Sequence, residues 1–206
     1  MASRNKSLPT LFFTALLFLA ASTPARENPE RGEWDLVLYT GKYTETTLVS
    51  ILASQKTKYR DSYIFSGGLN YLMGTDIRPW TFETEGMLVA HFGIMKHLEV
   101  SGMLLARARL SRRLPLTFAF GEGLSLAARR PDLESPDPNF AELRFRKQKT
   151  NRLLNYLMVE LSWSLAGGPR HPRVFMRVHH RSGIYGTYCP PVCGSNFIAY
   201  GMKFSL

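Results

Sequence analysis

The feature that most constrains this chain is a succession of roughly ten-residue segments in which apolar and polar residues alternate. The segments are 34–43, 62–73, 80–92, 97–110, 115–127, 152–165, 172–181 and 196–206. In the last, Ile198, Tyr200, Met202, Phe204 and Leu206 share one row, while Ala199, Gly201, Lys203 and Ser205 share the other. In the fourth, Leu98, Val100, Leu104 and Leu110 oppose Glu99, Ser101, Arg107 and Arg109. In the third, Phe82, Leu88, Ala90 and Phe92 oppose Glu83, Glu85 and His91. In the sixth, Leu153, Leu157, Leu161, Trp163 and Leu165 oppose Glu160, Ser162 and Ser164. A period of two sends each row to one side of a sheet.

A soluble sandwich alternates too, but its charges point to water. Here the polar rows hold both carboxylates (Glu83, Glu85, Glu160) and guanidiniums (Arg107, Arg109, Arg177). Both signs together suit a narrow lumen filled by ion pairs. Eight strands make the smallest common membrane barrel. The expected fold class is therefore all-β, an eight-stranded antiparallel transmembrane β-barrel. Mean hydropathy is −0.13, too polar for a helical bundle but ordinary for a barrel, where only alternate residues meet lipid. Glu122 breaks the pattern, falling in the apolar row with Phe118, Phe120, Leu124 and Leu126. A bulge or a functional role would each account for it.

Residues 1–25 read as a signal peptide: Arg4 and Lys6, then the apolar run LFFTALLFLAA at 11–21, then small residues with a cut after Ala25. An uncleaved anchor is the competing reading. Residues 26–206 then form one outer-membrane β-barrel domain. Its last strand, with Tyr200 and Phe204 before the apolar Leu206, fits the C-terminal signal of inserted barrels. The formal net charge is +10, and most of that charge lies outside the leader. Export argues against nucleic acid as the partner and favours anionic lipid head groups; a plain solvated basic surface is the other reading. Cys189 and Cys193, in CPPVC, suit a small local disulfide in an oxidising compartment. Their spacing supplies no further ligands, so no metal is assigned.

With the N-terminus in the periplasm, the long connections 44–61, 128–151 and 182–195 fall outside the cell, and the short turns near 74–79, 111–114 and 166–171 fall inside. That asymmetry is usual for such barrels. Only the connection near 93–96 is outer yet short. The basic stretch 129–149 would lie near lipopolysaccharide phosphates, or be an ordinary solvated loop.

Residues 174–186 read VFMRVHHRSGIYG. His180 and Ser182 continue the row of Val174, Met176 and Val178. Residues two apart on a strand lie about 7 Å apart at Cα and point the same way. An imidazole so placed can take the serine proton. His179 has the opposite parity and is not the expected base. The strand runs upward, so the pair sits near the outer rim on the lipid side, where polar groups are costly. Two polar residues at a strand end are the bland alternative.

The tail, HHRSGIYG followed by GSNFIAYGMKFSL, resembles the outer-membrane lipid A 3-O-deacylases, the PagL family, grouped with acyloxyacyl hydrolase-like barrels. The specific match covers about the last 35 residues, and the eight-strand layout extends it loosely. The resemblance implies a serine esterase without cofactors that removes an ester-linked acyl chain from lipid A. It implies His180 as base and Ser182 as nucleophile. Where the family carries a glutamate on the last strand, aligned C-termini place Asn196. Gly183 stands where an asparagine often follows the family's serine. Backbone amides at 183–186 are candidate oxyanion donors. Glu160, on the adjacent strand, has inward parity and is not promoted to the third position.

The expected partners are lipid A or lipopolysaccharide and the outer membrane, with no nucleic acid, and a homodimer stays open. The alternative reading is a non-catalytic structural or lipid-binding outer-membrane barrel. A soluble secreted β-protein comes third.

Overall fold

The computed structural model describes residues 32–53, 56–74, 79–111, 114–134, 150–165, 172–184, 187–189 and 193–206. The expected signal peptide at 1–25 and most of the basic connection 129–149 lie outside them. Eight strands follow in chain order: β1 Trp34–Thr44, β2 Tyr59–Gly74, β3 Trp80–Gly93, β4 Leu98–Arg109, β5 Leu116–Ala127, β6 Leu153–Ser164, β7 Arg173–Ser182 and β8 Gly194–Ser205. Each pairs antiparallel with the next, and β8 pairs with β1, so the sheet closes into a barrel. Closure leaves no sheet edge unpaired, the condition for strands in hydrocarbon. The connection after β1 holds a short helix, α1 Leu48–Leu52, capped by Thr47, where the sequence suggested only loop. β2 begins three residues earlier than expected.

Alternation decides what faces where. Glu83, Glu85, Glu99, Ser101, Arg107, Glu160, Arg177 and Lys203 are buried in the lumen. Phe82, Leu88, Val100, Leu104, Leu124, Leu161 and Met176 stand exposed on the outer face. A polar interior within an apolar exterior is the polarity of a membrane barrel. Outward aromatics gather toward both rims: Trp34, Trp80 and Phe82 at the end that carries the termini, Tyr59, Tyr63 and Phe92 at the opposite, loop end. Such rings suit the two membrane interfaces.

The lower lumen is filled by a charge network. Arg107 grips Glu83 through Nε (2.6 Å) and Nη2 (3.1 Å) and reaches Glu160 through Nη1 (2.9 Å). Arg177 meets both oxygens of Glu85, at 2.6 and 3.1 Å, and gives Nε to Glu160 at 3.1 Å. Lys203 lies 3.2 Å from Glu85 and 3.4 Å from Glu160. Three carboxylates thus meet three cations, so no charge in the network is left uncompensated. The Arg177 guanidinium also lies 4.9 Å from the Tyr39 ring and 4.6 Å from that of Phe175.

Two expectations need correction. Arg109 shares the parity of Arg107 but is exposed, because it is the last residue of β4 and has passed the lumen's end. Glu122 is not at a bulge: its pairing with Leu104 and Leu157 is continuous, and its side chain stands on the outer face. Nothing in the structure explains a carboxylate there.

Candidate active site

β7 and β8 run antiparallel, and their register sets His180 directly opposite Asn196. Both are outward residues near the loop end. His180 Nδ1 lies 2.6 Å from Asn196 Oδ1. The amide's other half donates to the Thr46 carbonyl, just past β1, at 3.1 Å. That second bond determines the first. A carbonyl only accepts, so the NH₂ group must face Thr46 and Oδ1 must face the imidazole. An amide oxygen also only accepts, so Nδ1 carries the proton. The other ring nitrogen, Nε2, keeps its lone pair and makes no hydrogen bond among the described residues. Positions on β7 and β8, together with Thr46 just past β1, therefore hold His180 in one tautomer.

Ser182 ends β7 on the same face, two residues beyond His180. Among the described residues its hydroxyl has no hydrogen-bond partner. It stands opposite Gly194 on β8 and opposite Asn155 on β6. The sequence reading missed Asn155. It belongs to the outward row Leu153, Leu157, Val159 and Leu161, yet it is only 6% exposed. Directly opposed residues on one face have Cβ atoms about 4.5–5.5 Å apart. The Asn155 amide is therefore within reach of whatever sits on Ser182. The signal was present as a lone amide in an apolar row.

Gly183 and Gly194 shape the ground beneath. Cys189 and Cys193 form a disulfide. A Cβ on Gly183 would come within 2.5 Å of Cys189 Sγ and 2.9 Å of Cys193 Sγ, so no side chain fits under the bridge. This is the physical reason for glycine where the resemblance suggests asparagine. Gly194 has φ +126°, and a Cβ there would strike the Arg181 carbonyl. The amide of Gly183 lies within the described residues; 185 and 186 do not.

Behind this wall lies a second cluster, in the lumen. His179 faces inward and bonds Tyr39 Oη at 3.0 Å through Nδ1. Glu160, also inward, belongs to the charge network and makes no approach to His180. Glu134, in a short 3-10 turn Asp132–Glu134, is buried over the barrel mouth. It accepts from Arg181 Nη1 and from Ser195 Oγ, both at 2.6 Å. Burial raises its carboxyl above the ordinary value, against the pull of Arg181. The cysteine spacing suggested no metal, yet the fold gathers one group of potential ligands among the described residues: His91, His97 and Glu99, all buried. Desolvation and the neighbouring His91 push His97 down to about 3, so its imidazole is neutral at pH 7.

No protein-family model and no curated protein matches the sequence. Among solved structures, the chain is similar to the crystal structure of the outer membrane enzyme PagL. The TM-score is 0.51 at 11% identity, over 82% of this chain and 98% of that one. At that identity the likeness concerns architecture: this chain shares the closed antiparallel barrel of an outer-membrane enzyme.

Proposed function

We propose that this protein is an outer-membrane serine esterase of the lipid A deacylase type. The observation that carries the reading is the hydrogen bond from His180 Nδ1 to Asn196 Oδ1, on the outer face beside Ser182. It leaves Nε2 unprotonated, on a strand row shared with the Ser182 hydroxyl, which has no hydrogen-bond partner among the described residues. The loop end is taken as the extracellular end, where the ester-linked chains of lipopolysaccharide meet their head groups. The apolar exterior and aromatic rims support insertion in the outer membrane.

In this mechanism His180 Nε2 accepts the Ser182 proton as Oγ attacks the ester carbonyl. The tetrahedral oxyanion is met by the Asn155 amide and the Gly183 backbone N–H. Collapse expels the sugar alkoxide, to which His180 returns the proton. Water then hydrolyses the acyl-serine by the same steps in reverse. No cofactor takes part.

Asn196 lacks the negative charge that would stabilise the imidazolium. Replacing aspartate by asparagine in one serine-protease triad costs about 10⁴ in rate because the histidine takes the wrong tautomer. Here the Thr46 carbonyl turns the amide so that the correct tautomer forms. What is lost is the charge alone, so the penalty should be smaller than that figure.

The second reading, a non-catalytic lipid-binding barrel, is favoured by that same missing charge. Ser182→Ala separates the two. If the esterase reading holds, purified wild-type protein releases fatty acid from lipid A in detergent and the variant does not. Equal release, or none from folded wild type, favours the non-catalytic barrel.

A further inference from the structure

We propose that His91, His97 and Glu99 form a zinc-class divalent-cation site inside the loop end of the barrel. It lies on the lumen side of the wall, whereas Ser182 is on the outer side, so it does not depend on the esterase reading.

The donor set comes from one hairpin. His91 is near the end of β3, His97 lies in the connection, and Glu99 is near the start of β4. Their ligand atoms lie within 4.8 Å of one another. The His91 and His97 rings stack at 3.9 Å with 16° between planes, which keeps their nitrogens on neighbouring levels. His91 Nε2 already meets Glu99 Oε2 at 2.8 Å. A cation bound at about 2.0–2.2 Å from each ligand needs them closer than the widest present spacing. His97 sits just before β4, its carbonyl accepting from His91 N at 2.9 Å, so the gap would close by movement of its side chain.

Unpartnered atoms point to the same place. His97 is 8% exposed, and neither of its ring nitrogens has a hydrogen-bond partner among the described residues. Among the described residues His91 Nδ1 is also buried without one, whereas Glu99 Oε1 and His179 Nε2 face each other as an ion pair at 3.3 Å. Three unsatisfied buried nitrogens among the described residues thus belong to these two stacked histidines. Buried polar groups are otherwise almost always paired, and such a concentration indicates an ion or ordered water. Two imidazoles and a carboxylate are the donors zinc takes, with a fourth position left for water.

The surroundings suit a bound cation. Glu99 Oε1 lies 3.3 Å from His179 Nε2, and His179 is anchored by Tyr39, so an outer set of groups already orients the carboxylate. Arg181 is a competing cation nearby, with Nε 3.7 Å from Glu99, but its Nη1 is bound to Glu134. Among the described residues, Glu99 and Glu134 both face the Arg181 guanidinium. A bound ion would join the two sides of the β3–β4 hairpin across its turn.

The test is calorimetric titration of chelator-treated, tag-free, folded protein in detergent micelles with Zn²⁺ alone, with Co²⁺ absorption reporting coordination. Wild type should bind one ion per chain with submicromolar affinity, and Co²⁺ should give the absorption of a four-coordinate nitrogen–oxygen site. His97→Ala should weaken binding by more than about 100-fold, since even outer-shell partners cost about 10- to 100-fold. That residue lies outside the strands, so the variant should still run as a folded barrel; His91→Gln gives a second, independent loss. No binding by wild type, or equal binding by wild type and His97→Ala, overturns the site.

Discussion

At the residue scale, the proposed chemistry turns on one amide. Asn196 is held by Thr46 and in turn holds His180. Asn196→Leu removes the orientation and should lower kcat by about 10²–10⁴, approaching the loss seen when a triad's orienting group fails. Asn196→Glu restores a charge and should raise kcat above wild type, checked by fatty-acid release from lipid A. Asn155→Ala should lower kcat by about 10²–10³ with KM nearly unchanged, the pattern of a lost oxyanion donor. Parity made His180, Ser182 and Asn196 legible as neighbours on one face, because a strand's period of two leaves little freedom. Asn155 was less legible, since its importance depends on the β6–β7 register that puts it opposite Ser182. The reason for Gly183 was invisible, because the disulfide reaches it only through the folded loop.

Among the elements, β7 and β8 meet at a hairpin whose geometry depends on small residues and the Cys189–Cys193 bridge. Gly183→Asn should displace that bridge and lower stability by about 1–3 kcal/mol, as overpacking does. Urea unfolding in detergent measures the loss, and thiol titration reports whether the bridge still forms. The strands themselves were readable to within a few residues, because charge and apolar rows alternate along almost all of them. What the alternation did not reveal lies where strands end. Arg109 keeps the inward parity but has run out of lumen, and α1 is a local capped turn with no amphipathic period to announce it. The β3–β4 connection is short, so His91, His97 and Glu99 come together by hairpin geometry rather than by any motif spacing.

Taken as a whole, the molecule is held by opposite polarities: an apolar outer face for lipid and a charge-paired lumen. Arg177→Met would leave Glu85 and Glu160 short of a partner in a buried network. It should cost about 3–5 kcal/mol, the usual loss when one side of a buried pair is removed, read as a shifted urea midpoint. The architecture was legible because both charge signs occupy one row, which only an enclosed interior explains. Function was less so, because the same barrel serves with or without chemistry on its wall.

The central claim is that this outer wall carries a lipid esterase, and mass spectrometry of lipid A tests it most directly. Cells expressing the wild-type protein should yield lipid A lacking one ester-linked acyl chain. Cells with an equal amount of folded Ser182→Ala protein should yield unaltered lipid A. Identical spectra from both, with wild type folded in the outer membrane, would contradict it.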